Sequence, residues 1–265
     1  MRKPEATPRK ILLIGWDGAD WRIIDPLLDR GEMPNLERLI SGGVMGNLAT
    51  LQPMLSPMVR NSIATGTMPD RHGILGFMEV DEDRGEVRPS TSLSRRVKAI
   101  WNILSQEGYR THVVNWFCSH PAEPINGISI SEMFPQQALK GAGGADTMPG
   151  GIVHPDSLRE KLSDFLVTPD EIDTEVISLF VPRFREVDQE KDTRLVSIAK
   201  TLSQTFSTHA AATWILEHEP WDFQGIYYSA IDHFCHGFMR YHPPSGFAGD
   251  RPPNPLWAAL GIAKE

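Results

Sequence analysis

The sequence predicts an α/β fold, a mainly parallel sheet flanked by helices. Three observations lead there. Short apolar runs bounded by turn residues, such as "KILLIGWDGAD" and "WDFQGIYYSAID", have the length and content of buried strands. Segments with apolar residues at helical spacing stand between those runs. Strands and helices therefore alternate along the chain, the order that gives parallel strands with helices on their faces. No internal repeat is visible.

Taken in order, Ile11 to Gly15 form the first buried strand, running into a loop at Asp17. Trp21, Ile24, Leu27 and Leu28 recur at helical spacing, with Gly31 as a stop. "MPNLERLISGG" restarts a helix with Pro34 in its first turn and Gly42 at its end. "VMGNLAT" reads as a short strand. Pro57 to Thr65 fit a helix with Ser56 as its N-cap and Gly66 as its stop. "FMEVDEDRGEVRP" has the pattern of a hairpin turning around Arg84-Gly85. In "SRRVKAIWNILSQEG", Val97, Ile100, Trp101 and Leu104 share a helical face, capped by Ser94 and ended by Gly108. "THVVNWF" and "GISISEMF" are further buried strands. Residues 136 to about 155 are Gly-rich and read as a mobile loop, and 156–190 show no clean period. A long helix over 191–218 carries Leu195, Ile198, Leu202, Phe206, Ala210 and Ile215, and the last strand ends at Asp232.

Composition bounds the function. The 265 residues suffice for one large domain or two small ones, and 40% hydrophobic with 23% charged residues is ordinary for a globular protein. A net charge of -8 argues against a nucleic-acid scaffold binder. Two cysteines, Cys118 and Cys235, are too few for a disulfide framework, so a reducing, cytoplasmic setting is expected. The apolar run after the basic start "MRKPEATPRK" is too short for a signal peptide or a membrane span. Residues 1–9 are therefore expected to be a flexible arm.

In an open parallel sheet, ligands bind at the carboxyl ends of the strands. Asp17 and Asp232 both follow strands, and Ser56 follows the strand-and-loop "VMGNLATLQPML". Parallel pairing would bring the three to one edge. Asp232 and His236 stand one helical turn apart in "DHFCH", a serviceable ligand pair for zinc or manganese. Each residue alone has a plainer reading: Asp17 as a turn or cap, Ser56 as an N-cap, Asp232 and His236 as a surface pair. A seryl hydroxyl needs a base or a metal to become a nucleophile. No histidine lies near Ser56 in sequence, whereas a metal held by Asp17 could bind its oxygen. The helix start at Ser56 would also suit a phosphate or sulfate.

The blocks "ILLIGWDGADWRIIDPLLDRGEMPNLERLISGGVMGNL", "LSPMVRNSIATGTMPDRHGILGF", "NWFCSHPAEPINGISISEMF" and "YSAIDHFCHGF" resemble, in order, the type I phosphodiesterase/nucleotide pyrophosphatase branch of the alkaline phosphatase superfamily. The resemblance implies an alkaline-phosphatase-like core and hydrolysis of a small phosphate ester. It implies two divalent ions, zinc or alternatively manganese: one on Asp17 and Ser56, the other on Asp232 and His236, with Ser56 as nucleophile. His72 matches a position taken as structural, Trp101 and Trp116 are expected in the core, and Arg60 could reach a substrate oxygen or form a surface salt bridge.

The chain also departs from that family. The later Asp-His pair and further histidine that complete the metal ligands do not appear, so residues 10–265 are read as a partial domain truncated at the C-terminus, with 136–190 an insertion or irregular region. Phe77 stands where the nucleotide pyrophosphatases carry an Asn, which puts nucleotide preference in doubt. Two other readings compete. A sulfatase-like enzyme would need Pro one position later than Pro57; a non-catalytic module would bind an anion or a partner. An exposed apolar sheet edge would favour self-association.

Overall fold

The computed structural model describes residues 9–81, 84–140 and 148–241. The strands are β1 (Ile11–Trp16), β2 (Met78–Asp81), β3 (Glu86–Pro89), β4 (Thr111–Trp116), β5 (Gly127–Ser131), β6 (Val153–His154) and β7 (Phe223–Tyr228), and the helices run from α1 (Trp21–Asp29), α2 (Pro34–Ser41), α3 (Ser56–Thr65), α4 (Pro69–His72), α5 (Ile100–Gln106) and α6 (Phe134–Gln137) to α7 (Arg159–Ser163), α8 (Thr174–Phe180), α9 (Arg194–His218) and α10 (Ala230–Phe238). Five of them form the main sheet in the order β1-β7-β4-β5-β6, and β2 and β3 pair separately as the expected antiparallel hairpin. Within the main sheet β1, β7, β4 and β5 are parallel, and only β6 runs antiparallel, against β5. The sheet is mainly parallel and flanked by helices, the α/β architecture expected.

The sequence of β4, "THVVNW", is buried at every position because the strand lies in the middle of the sheet with both faces covered. Alternation sends its two valines to opposite layers. Val114 joins Ile130 of β5 and Ile226 of β7 against Ala211, Ala212 and Ile215 of the long helix α9 (Arg194–His218). Val113 joins Phe223 and Tyr227 of β7 with Trp101 and Trp116 on the other face, as expected for those tryptophans. That second layer is closed by α3 (Ser56–Thr65) and α5 (Ile100–Gln106), through Ala64 and Trp101.

Several elements differ from expectation. β1 is not buried: it is the edge strand, and Ile11, Leu12, Ile14 and Trp16 are all exposed. Residues 44–50 form no strand; Val44 and Leu48 project into solvent, and among the described residues no strand pairs with them. Helix α5 begins five residues later than expected, because Thr91 and Ser94 cap each other across a 3-10 turn and the side chain of Asn102 accepts from the amide of Ala99. Residues 141–147 of the Gly-rich stretch lie outside the described residues, as do 1–8 of the expected arm. The rest of that stretch is built into the core, where Met148, Ile152 and Val153 pack against α9. Between 156 and 190 lie α7 (Arg159–Ser163) and α8 (Thr174–Phe180), whose Ile177 packs on Leu195, Ile198 and Leu202. On α9 the buried stripe passes through Ser203, Ser207 and Ala211, leaving Phe206 exposed.

β4 also carries a titratable group that ties stability to pH. His112 is buried, and the amide of Ile128 donates to its Nδ1 at 2.9 Å. The proton therefore sits on Nε2 and is donated to the Pro220 carbonyl at 3.1 Å. Burial pushes this imidazole down to about 4. Between that value and the roughly 6.5 of a free imidazole, the unfolded chain holds a proton that the folded chain does not. The stability is complete above pH 6.5 and falls as pH drops, by about 3 kcal/mol at pH 4 from this residue. Urea denaturation between pH 4 and 7 should show this slope, and His112→Gln should remove most of it; an unchanged slope in the variant would rule His112 out as the cause.

Candidate functional site at the carboxyl edge of the sheet

Parallel pairing of β1 with β7 puts Trp16 opposite Tyr228, so both strands leave the sheet at the same edge. Asp17 follows at once, and its amide donates to the Tyr228 carbonyl at 2.9 Å. β7 ends at Tyr228, and Asp232 lies in the first turn of the next helix, α10 (Ala230–Phe238), rather than at a strand end. The two segments touch at Gly18, which has φ +74°: a β-carbon there would sit 2.9 Å from the Cα of Asp232. Only glycine permits both the left-handed turn and this approach.

Ser56 is the first residue of α3 and Leu55 occupies the N-cap position, with no side-chain capping bond, so the expected N-cap role of Ser56 is corrected. The Ser56 hydroxyl makes no capping bond to its own helix. It donates instead to Asp17 Oδ2 at 3.0 Å, across 39 positions of sequence. One turn along α3, Arg60 donates to Asp17 Oδ1 at 2.5 Å. The Tyr227 hydroxyl also donates to Oδ2, and the Arg60 guanidinium lies 4.9 Å from the centre of the Tyr227 ring. The Trp116 indole N–H fixes the same turn of α3 by donating to the Arg60 carbonyl at 3.1 Å.

Asp17 is 8% exposed. Burial alone would raise its pKa, but the bonds from Tyr227, Arg60 and Ser56 outweigh it and hold the carboxyl below its ordinary value. The carboxylate is therefore ionised at neutral pH and too weak a base to take the Ser56 proton. What it does is orient the hydroxyl. Burial and Asp17 together push the Tyr227 phenol upward, so Tyr227 remains a donor.

Asp232 and His236 face each other along α10, with His236 Nε2 3.5 Å from Asp232 Oδ1 and the His236 side chain 81% exposed. His72 is fully buried; Ile74 N donates to its Nδ1 at 3.1 Å, which leaves Nε2 to donate to Ser62. Two contributors escaped the sequence reading. Arg60 was weighed as a substrate contact or a surface salt bridge, yet it forms a largely buried pair with Asp17; its position four residues after Ser56, on the same helical face, is the signal. Tyr227 had no local signal, since its partner lies 210 positions away.

The model of the type I phosphodiesterase / nucleotide pyrophosphatase family matches residues 11–246. The chain belongs to this family. This phosphodiesterase-family chain also resembles in fold the phosphonoacetate hydrolase of Sinorhizobium meliloti 1021, in its complexes with phosphonoacetate and with phosphonoformate. Both give a TM-score of 0.55 at 16% identity, over 91% of this chain and 49% of the hydrolase. The chain thus spans about half of the length of the hydrolase it matches. No curated protein matches it. Among the described residues, no helix is long and apolar enough to cross a membrane.

The family's expected ions can be tested against the donors present. Among the described residues, no group of three or more His, Cys, Asp and Glu converges. What this phosphodiesterase-family chain offers is two donor pairs: carboxylate with hydroxyl at Asp17 and Ser56, carboxylate with imidazole at Asp232 and His236. The donor chemistry of each pair fits a divalent ion, as part of the usual four ligands. At Asp17, however, an ion has to compete with Arg60 for Oδ1 and with the Tyr227 and Ser56 hydroxyl protons for Oδ2.

Proposed function

We propose that this chain is a metal-dependent hydrolase of small phosphate esters, with Ser56 as its nucleophile. One observation carries the reading: the Ser56 hydroxyl, which does not cap its helix, donates to Asp17 at the carboxyl edge of the sheet. Family membership supports the reaction class, and a phosphonate-binding hydrolase with the same fold supports a small anionic substrate.

The residues divide the work as follows. Asp17 holds the hydroxyl in one orientation. The N-terminus of α3, ten residues long, directs its positive end at a phosphoryl group beside Ser56. Arg60 and Tyr227 keep Asp17 ionised and fixed. Attack by the Ser56 oxygen on phosphorus breaks one ester bond: the serine proton is lost to solvent, the departing alcohol takes one up, and Ser56 is left phosphorylated; water then frees serine and releases phosphate from a monoester or a phosphate monoester from a diester. Divalent ions, of which zinc or manganese suits these ligands, would be held by Asp17 with Ser56 and by Asp232 with His236, and would supply the acidity that a lone serine lacks.

The test is direct. The protein is mixed with bis-p-nitrophenyl phosphate and zinc or manganese, then quenched in acid. The peptide carrying Ser56 should gain the mass of the phosphoryl fragment, and a chelator should prevent it. A labelled peptide lacking Ser56, or hydrolysis indifferent to chelation, would reject this reading. The buried Arg60–Asp17 pair favours one alternative, a metal-free anion-binding module, for which phosphate should bind without any turnover.

A further inference from the structure

β1 bounds one side of the main sheet, and among the described residues nothing pairs with its outer edge. Ile11 N and Asp17 N both donate toward the β7 side. Alternation along the strand therefore turns the backbone N–H and C=O groups of Leu12, Ile14 and Trp16 outward. The side chains of the same three residues share a face with Ile226, since Ile14 is in register with it. Ile226 is covered by α9, whereas Leu12, Ile14 and Trp16 stay 43%, 48% and 40% exposed. Leu13, on the opposite face, packs into the layer of Trp101 and Trp116.

Edge strands are normally guarded by a charge, a proline or a bulge. "ILLIGW" carries no charge and no proline, and its register with β7 is unbroken. Such an edge is a template for one more strand.

We infer that the strand it receives is β1 of a second copy of this chain, antiparallel, with the two-fold axis passing through Ile14. Two observations select this occupant. In that register Ile14 faces Ile14 and Leu12 faces Trp16. All the outward N–H and C=O groups of β1 are then used by β1 itself, and the bare side chains of both copies adjoin on one face. The charges at the two ends of the strand also agree. Lys10 precedes β1, and the turn that follows it carries Asp17 and Asp20. Antiparallel pairing brings Lys10 of each copy next to the acidic turn of the other, whereas parallel pairing would set lysine against lysine. The two five-stranded sheets become one, and a cation of the second copy comes to stand beside the sheet edge where Ser56 meets Asp17.

Sedimentation equilibrium of the full chain over a wide concentration range should show monomer and dimer. Ile14→Lys sets two ammonium groups face to face on the axis and should raise the dissociation constant at least about tenfold. Ile14→Cys gives a second reading. Residues facing each other in such a pair lie about 5.5 Å apart between Cα atoms, within disulfide reach, so mild oxidation should link this variant into covalent dimers. Leu39→Cys, at a site on α2 at least as open, should link no more than the parent protein, whose own Cys235 sets the background. Should the lysine variant lose its circular dichroism spectrum, the two cysteine variants decide. A chain that stays monomeric throughout would overturn the proposal and leave this edge to a different polypeptide. A dimer that survives Ile14→Lys, or that Ile14→Cys does not link, would be formed by another surface and overturns it equally.

Discussion

Ser56→Ala is expected to abolish phosphate-ester hydrolysis while leaving the protein folded. The hydroxyl makes one bond, to Asp17, and no bond within α3. Its loss removes a single hydrogen bond, worth about 1 kcal/mol, and Asp17 keeps Arg60 and Tyr227 as partners. The catalytic consequence is of another order. Removal of a seryl nucleophile can cost as much as about 10⁶-fold in kcat, so a loss of at least about 10³-fold is expected here. Initial rates on bis-p-nitrophenyl phosphate, with a thermal melt on the same sample, separate the two effects. Wild-type turnover in the variant would remove Ser56 from the mechanism.

Asp17→Asn should have the opposite profile, with a large cost in stability as well as in activity. Both partners of the Asp17–Arg60 pair are largely buried, with side chains 11% and 14% exposed. The amide keeps an oxygen for Ser56 but no longer balances the guanidinium. Leaving one buried charge without its partner costs about 3–5 kcal/mol. The double variant Asp17→Asn with Arg60→Met should recover most of that stability, because methionine fills the space without a charge. Urea denaturation of the single and double variants reads this out. Equal losses in both would assign the cost to the carboxylate's other contacts, to Ser56 and Tyr227.

How much of this was legible depended on the range of the signal. β4 and β7 were readable because β-branched and aromatic residues fill short runs between turn residues, and the sheet buries them. The same criterion failed for β1, since apolar content does not tell a central strand from an edge one. It failed again at 44–50, where apolar residues recur but, among the described residues, no strand pairs with them. On α9 the large Phe206 suggested the buried face, whereas close packing selected the small Ser203, Ser207 and Ala211. The meeting of Asp17 with Ser56 was an inference from parallel topology, strengthened by family resemblance. Ser56 was misplaced by one position, since Pro57 suits either of the first two helical residues and the cap is decided by backbone angles. Tyr227 and the true role of Arg60 depend on side-chain contacts between distant segments, for which local patterns hold no information.

The bare Cα of Gly18 resting on the backbone of Asp232 has a mechanical consequence. The spacing between the two acidic segments is gauged by main chain against main chain, with no rotatable side chain between them to act as a spring. A ligand pulling α10 inward would therefore press it directly on the turn after β1, so the two carboxylate-bearing segments can approach no closer than their main chains allow.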